Sequence, residues 1–433
     1  MNDAASKPDI PALRRLLRFM AIAAIVLAVL VAVLAWLMQP PRATGFLLAR
    51  IGDALGLRIV ATGAVDYRLR GTPQLLLHGV VAQRPGDATP LLRAERVFVS
   101  LPWSTIRARG DDLTVQRVEL DAPVLDVPAL QRWLATRPPG ETRIPTLRDG
   151  LHVVRGRIVN DDWNVDGIEV ALPSLSPTTP VATHLRGRYL DPPTRIPFDF
   201  DIALSKPANG AGIAAIGGMT IEGEGWTLPA RVRLSGPLHL GDDEVRMAPA
   251  KIGISARYVS GASDMPFVLG AFGPLLFDEA VWSLDPAALI LRGEGAIPHA
   301  DARGALALGR RLVLRLDGDI AAWPEAWPAL PPPLSASTSA LPFALDYTGR
   351  VDFSDLASLR VRRDDTALDA RFHLPAVLDW IDAGAGGSPL PPLQGTLRTP
   401  RIDIAGAKLE GVEIELDDPA IPSQPQPQPQ PQP

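Results

Sequence analysis

Residues 198–204 read FDFDIAL, and this alternation of apolar with mostly polar residues decides the fold. Successive side chains of a β-strand point to opposite faces of its sheet. The four large apolar side chains of this stretch therefore share one face, and the two aspartates and Ala203 share the other. A strand with one apolar and one polar face is typical of an antiparallel sheet that is covered on one side only.

The same period of two recurs along the chain in both directions from this stretch. It is found at residues 97–101 and 312–316, and similar stretches separated by turns rich in Gly, Pro or Asp continue from Arg58 to Asp418. Proline accounts for 45 of the 433 residues, twice its usual frequency of about 5%. A high proline content of this kind is typical of proteins built from many short strands joined by tight turns. The sequence therefore predicts a mainly β protein with an elongated antiparallel sheet and a few short helices.

A membrane anchor is predicted at residues 19–38, which read FMAIAAIVLAVLVAVLAWLM without a charge. At about 1.5 Å per residue this segment covers about 30 Å, the thickness of a hydrocarbon core. Basic residues precede it, which predicts a cytoplasmic N-terminus and a body in the periplasm of a Gram-negative cell. A cleaved signal peptide, the alternative, has a shorter apolar region and a small-x-small cleavage site. The residues assigned to the predicted anchor include Phe19, Leu27, Val31, Trp36 and Met38. Its predicted orientation follows from the positive charges of Arg14, Arg15 and Arg18.

The sequence pattern divides the chain into consecutive segments. In order, they are a cytoplasmic N-terminus at 1–18, the anchor at 19–38, a short amphipathic helix at 42–57, a β-rich body at 58–330, a Pro/Ser loop at 331–340, a second β-rich module at 341–418 and a tail at 419–433. The tail ends in a Gln-Pro repeat, for which an extended, disordered polyproline segment is expected.

Two distant segments carry the same two motifs in the same order. The first pair is VPALQRWL at 127–134 and LPAVLDWI at 374–381, and the second is VDGIEVAL at 165–172 and LEGVEIEL at 409–416. The offsets are 247 and 244 residues, so the two copies differ in length by only three residues. Proline in a first helical turn, followed by apolar residues at helical spacing, predicts a short helix in each copy. We therefore predict a strand–helix–loop–strand–strand unit near both ends of the body.

The chain contains no recognisable motif for catalysis, metal binding or cofactor binding. It has no cysteine, and its six histidines do not stand at ligand-like spacing. A nucleophile elbow, a phosphate-cradling loop and a dinucleotide fingerprint are all missing from the sequence. The net charge of −5 supplies no basic field for nucleic acid. The sequence thus predicts no catalytic residues, no metal, no cofactor and no nucleic-acid partner, and it favours a non-enzymatic role.

Three stretches of the chain resemble AsmA-family proteins. The family's N-terminal module is similar to residues 92–127 (LRAERVFVSLPWSTIRARGDDLTVQRVELDAPVLDV), and the hairpin that usually follows its anchor is similar to residues 63–84 (GAVDYRLRGTPQLLLHGVVAQR). Its C-terminal strands are similar to residues 393–416 (LQGTLRTPRIDIAGAKLEGVEIEL). The resemblance implies a curled β-sheet groove with an apolar concave face. It also implies an inner-membrane protein with a periplasmic role in outer-membrane assembly or phospholipid traffic, without catalytic residues.

These observations together predict a groove that holds lipid. A sheet with one apolar face and no second sheet over it offers a dry surface to the acyl chains of phospholipid or lipopolysaccharide. The candidate groove-lining residues are Val97, Val99, Leu101, Phe198, Phe200, Ile202, Leu204, Leu312, Leu314 and Leu316.

Other interpretations of the same residues stay open. The candidate groove residues would equally suit the closed core of an ordinary β-sandwich. A scaffold that binds an envelope protein through strand edges or the Gln-Pro tail needs no lipid. A periplasmic hydrolase would need acidic residues or a His–Asp pair that converge in one cleft.

Overall fold

Strands dominate the computed structural model of the chain. It describes residues 56–421 except 69, 108–113, 137–144, 193, 224, 241–243, 262, 279–280, 310, 325, 327–338, 351–352, 384–390 and 405–406. The chain divides into two units. The first runs as far as Asp264 and includes Phe277–Ala280, and the second comprises Met265–Leu276 and the residues from Val281 onward.

The first unit contains fifteen strands and two short helices among its described residues. The strands are β1 (Arg58–Ala61), β2 (Val65–Arg68), β3 (Gln74–Gln83), β4 (Leu92–Ser100), β5 (Thr114–Val115), β6 (Arg117–Asp121), β7 (Val124–Asp126), β8 (Thr146–Leu147), β9 (Leu151–Val159), β10 (Asn164–Leu172), β11 (Val181–Asp191), β12 (Thr194–Leu204), β13 (Ala211–Gly223), β14 (Trp226–Leu240) and β15 (Val245–Ser260). The helices are α1 (Trp103–Arg107) and α2 (Val127–Leu134).

The second unit continues the same pattern. Strand β16 (Ser263–Asp278) contributes Met265–Leu276 to this unit, and its first two and last two residues belong to the first unit. The following elements are β17 (Val281–Gly293), β18 (His299–Leu308), β19 (Leu312–Ala322), β20 (Leu341–Gly349), β21 (Ala357–Arg363), β22 (Thr366–Phe372), helix α3 (Leu374–Ala383), β23 (Leu393–Ile404) and β24 (Ala407–Leu416).

Strand pairing is antiparallel almost throughout. In the first unit β9 runs parallel to β6 and β7, and the small pair β5–β8 is also parallel. From β9 to β15 each strand pairs antiparallel with the next along the chain. The same holds from β17 to β24 in the second unit. The prediction of a mainly β, antiparallel protein with few short helices is confirmed.

The closed hydrophobic core of the first unit lies under helix α2. Leu130 and Trp133 of this helix are almost fully buried, and they belong to the same core cluster as Val99 of β4, Val118 of β6 and Leu151 of β9. The helix begins where Asp126 accepts a hydrogen bond from the Ala129 backbone N–H at 2.8 Å, and proline occupies its first turn. Such a cap supplies a partner to one of the N–H groups that a helix start leaves unpaired.

Removing this cap should weaken the first unit measurably. We expect Asp126→Ala to lower the free energy of unfolding by about 1 kcal/mol, since the Ala129 N–H loses its partner. Urea unfolding followed by tryptophan fluorescence measures the change. Asp317→Ala, which removes an exposed strand carboxylate in the second unit, is the control and should change stability by less than about 0.5 kcal/mol. Equal effects of the two substitutions would contradict the capping role.

The predicted internal duplication appears in the secondary structure. Helices α2 and α3 fall on the two copies of the first motif, each directly after a strand in sequence or one residue beyond it. Strands β10 and β24 fall on the two copies of the second motif. Gly167 and Gly411, which occupy the same place in that motif, both have left-handed backbones, with φ of 59° and 63°.

The predicted anchor at 19–38 and the predicted helix at 42–57 lie outside the described residues, apart from the last two positions of the latter. Within residues 56–421, the described helices are all too short or too polar to span a bilayer. The predicted loop at 331–340 falls within the second unit and is mostly outside the described residues, as is the tail from residue 422.

Candidate functional site

One face of the sheet in the first unit is apolar across five adjacent strands, β11 to β15. The pairing registers align Leu185, Phe200, Gly217, Val232 and Ile254 in one row across these strands. The flanking rows on the same face contain no charged residue either; they are Thr183, Ile202, Ala215, Leu234 and Ile252 on one side, and Gly187, Phe198, Met219, Ala230 and Ala256 on the other. We call these three rows the apolar face.

The large side chains of the apolar face are only half-buried. Phe200, Val232 and Ile254 all keep part of their surface accessible, and so do their large neighbours in the two flanking rows. In the core under α2, by contrast, Val118 is 0% exposed and Leu130 1% exposed. Large apolar side chains that stay accessible side by side over five strands mark a surface that can still bury apolar area against a ligand.

Two phenylalanines of this face lie over glycines of the neighbouring strands. A Cβ atom added to Gly217 would approach Phe200 Cδ1 to 2.6 Å, and one added to Gly187 would approach Phe198 Cζ to 2.9 Å. The two rings are 6.4 Å apart between centroids. The two rings therefore occupy the space that side chains would fill at the two glycines.

An aromatic pair borders the apolar face near the ends of β14 and β15. Trp226 and Tyr258 stack with ring centroids 5.9 Å apart and an interplanar angle of 28°, and both are half-buried. Tryptophan and tyrosine combine an apolar ring with a polar tip, which suits the border between an apolar and a wet region. The arrangement is thus aliphatic and phenylalanine-rich in the middle rows and amphipathic at this border.

The opposite face of the same strands is charged. Arg186 on β11 donates to Glu169 on β10 at 2.5 Å, and His184 lies 2.9 Å from Asp201 on β12. The hydrogen bond from Arg186 lowers the pKa of the Glu169 carboxyl, and the same contact raises the pKa of Arg186. Ion pairs this exposed contribute little to stability. They do mark this face as hydrated and charged, in contrast to the three uncharged rows of the apolar face.

The structure divides the residues that the sequence suggested for a groove into three groups. Phe198, Phe200, Ile202 and Leu204 lie together on the apolar side of β12, half-buried. Leu204, like Leu185 of the middle row, also packs against the core of the first unit. Val97, Val99 and Leu101 are 4%, 1% and 0% exposed within the closed core under α2. Leu312, Leu314 and Leu316 lie in the second unit around a small cluster with Tyr347 and Phe353, where Leu314 is buried and the other two are partly buried.

Most of the apolar face was not identified from the sequence. Strand β13 reads AGIAAIGGMTIEG, in which glycines and alanines hide the alternation around Met219. Strand β14 carried a usable signal, since Leu228, Val232 and Leu234 alternate with Arg231 and Arg233. The pairing of Trp226 with Tyr258 depends on a strand register that no single stretch of sequence displays.

Among the described residues, no three His, Asp or Glu side chains come close enough together to hold a metal ion. The three rows of the apolar face contain no titratable side chain. Comparison with known proteins adds nothing to this geometry, since no family model, no curated protein and no solved structure matches the chain.

Proposed function

We propose that this chain is an inner-membrane-anchored periplasmic protein of the AsmA type, which holds the acyl chains of a phospholipid or lipopolysaccharide and supports outer-membrane assembly. The observation that supports this most is the apolar face: three uncharged rows across β11 to β15, with half-buried large side chains and a charged opposite face. In this proposal the sheet curls around the lipid and the apolar face is the wall of the groove.

The dimensions and energies of the apolar face suit a lipid. Five strands at a spacing of about 4.8 Å span on the order of 19 Å between the first and the last. Each methylene removed from water contributes about 0.8 kcal/mol, so ten methylenes contribute about 8 kcal/mol. Association itself costs on the order of 4–15 kcal/mol. A lipid with two or more acyl chains therefore binds stably, whereas a single short chain does not.

The membrane part of the proposal rests on sequence alone. The uncharged segment 19–38 with Arg14, Arg15 and Arg18 before it predicts one pass with the N-terminus in the cytoplasm. This topology would place the apolar face in the periplasm, the compartment that lipids must cross to reach the outer membrane. The resemblance to AsmA-family proteins points to the same compartment.

Lipid mass spectrometry tests the proposal. The body, Arg42 to Asp418, is purified without detergent from the periplasm of Gram-negative cells and extracted with organic solvent. We expect about one or more phospholipid or lipopolysaccharide molecules per folded protein, since exposed apolar area of this extent binds available lipid. A folded body without lipid would contradict the proposal and favour the alternative, a scaffold for envelope proteins.

A further inference from the structure

The hairpin β23–β24 repeats the hairpin β9–β10 in backbone register as well as in sequence. Val165 pairs with Ile158 in the first hairpin, and Leu409 pairs with Ile402 in the second, each residue 244 positions later. Val170 with Val153 and Ile414 with Leu397 are related by the same 244 positions. The two hairpins therefore share their register on both sides of a central irregularity, where Ile168 pairs with Gly156 and Val412 pairs with Thr399. Outside that point, residues of β10 can be compared one by one with residues of β24.

The two hairpins differ at their outer edges. Strand β10 pairs with β9 on one side and with β11 on the other. Within the described part of the chain, β24 pairs only with β23. Leu409 is accordingly 48% exposed, whereas Val165, its equivalent, is partly buried against the core of the first unit. An edge strand with unpaired N–H and C=O groups is a template for a further strand.

Strand β11, which pairs with the outer edge of β10, shows which side chains a strand paired with the equivalent edge of β24 would need. Its Tyr189 and Leu185 stand opposite Val165 and Val170 of β10, on the face that packs against the core. Between them, on the charged face, Arg188 lies 3.6 Å from Asp166, and Arg186 lies 2.5 Å from Glu169. The sequence of β11 here is Leu-Arg-Gly-Arg-Tyr.

Strand β24 repeats the features of β10 that receive β11. Glu410 and Glu413 stand at the positions of Asp166 and Glu169, and Leu409 and Ile414 stand at the positions of Val165 and Val170. Both acidic side chains are exposed. Glu413 also accepts a hydrogen bond from Arg398 of β23 at 2.9 Å, so an incoming basic residue would share this carboxylate with Arg398. The edge thus offers two carboxylates to a basic strand, with an apolar position beside each.

We propose that the outer edge of β24 is a β-augmentation site for a strand of another protein. The strand runs antiparallel to β24 and carries two basic residues two positions apart, flanked on both sides by apolar or aromatic residues. Main-chain hydrogen bonds supply affinity in this mode of recognition, and the alternating side chains supply specificity. The inference does not depend on lipid binding, since it concerns a strand edge of the second unit and not the apolar face.

Two other occupants fit the edge less well. A second copy that paired β24 with β24 antiparallel would bring the glutamates at 410, 413 and 415 of the two copies close together, and like charges across a pair are destabilising. The Gln-Pro repeat at 424–433 has proline at every second position, and proline has no N–H to donate to a strand pair. A basic, alternating strand from a different protein meets neither obstacle.

Binding of a synthetic peptide to the full-length protein tests this site. The probe is a fluorescently labelled peptide with the sequence of β11, VATHLRGRYLD. Its binding to the protein is measured by fluorescence anisotropy. We expect binding that weakens about tenfold with Glu410→Arg and Glu413→Arg together, because two attractive pairs become repulsive. A peptide with both arginines replaced by glutamate should bind the altered protein and not the original. Thermal unfolding of both proteins checks that the fold is retained.

Photo-crosslinking locates the bound peptide. A benzoylphenylalanine in place of Leu409 should capture the peptide, whereas one in place of Ile216, exposed on the charged face of the first unit, should not. Failure of the peptide to bind, or binding that ignores both charge reversals, would overturn the proposal. A dimer detected by sedimentation, with a crosslink between the two copies at position 409, would also overturn it. A second copy would then occupy the edge.

Discussion

Gly150→Ala is expected to unfold the first unit or to reduce its stability by more than about 3 kcal/mol. Gly150 precedes β9 and has φ of +77°, a conformation that residues with a Cβ rarely adopt. A Cβ at this position would lie 1.7 Å from the Leu172 carbonyl oxygen and 2.6 Å from the Pro173 carbonyl carbon. Backbone atoms cannot rotate away as a flexible side chain can, so the β9–β10 pairing itself must shift.

The shift would reach the closed core directly. Leu151, the next residue, pairs with Leu172 and is 1% exposed. The Gly150 carbonyl also accepts a hydrogen bond from the Val118 N–H at 3.1 Å, which ties β9 to β6. Moving Gly150 therefore disturbs two neighbouring strands and a buried leucine at once.

Gly167→Ala is the matched control for this experiment. Gly167 is also left-handed, with φ of +59°, but a Cβ there would meet nothing within 4 Å. Only the conformational cost remains, about 1–2 kcal/mol. Urea unfolding followed by tryptophan fluorescence, to which the buried Trp133 contributes, compares the two variants. Equal losses would show that backbone conformation, and not the close approach to Leu172, makes glycine necessary at position 150.

The sequence predicted the faces of individual strands well. The alternation in β12 placed Phe200 and Ile202 on one face and Asp201 on the other, because side-chain direction in a strand is a local property. The short helices α2 and α3 were also predictable, since proline in the first turn and apolar residues at helical spacing act within about eight residues.

The covering of a face was not predictable in the same way. Val99 and Phe200 occupy similar alternating stretches, yet Val99 is 1% exposed in a closed core, and Phe200 is half-buried on the apolar face. Period two reports which side chains share a face, and it carries no information on what lies above them. That difference arises from tertiary packing, in which helix α2 covers one part of the sheet of the first unit.

A single aspartate on the apolar face is expected to abolish lipid binding while the protein stays folded. Phe200 stands in the middle row, between Leu185 and Gly217 in register. With Phe200→Asp, a bound acyl chain would have to bury a carboxylate that has no partner on this face, at a cost of several kcal/mol. The loss of folding free energy is smaller than the loss of lipid-binding free energy, because an aspartate at a half-exposed position keeps contact with water.

Two further aspartates separate the effect of position from the effect of charge. Ile216→Asp adds the same charge on the next strand, but Ile216 is 45% exposed and faces the charged side between Asp201 and Arg233; lipid content and stability should both stay unchanged. Leu101→Asp places the charge in the closed core, where the side chain is 0% exposed, and should unfold the first unit. Lipid per protein by mass spectrometry, together with thermal unfolding, distinguishes the three. If Phe200→Asp unfolds the protein as Leu101→Asp does, the apolar face is an ordinary core; if it stays folded and retains its lipid, the lipid binds elsewhere.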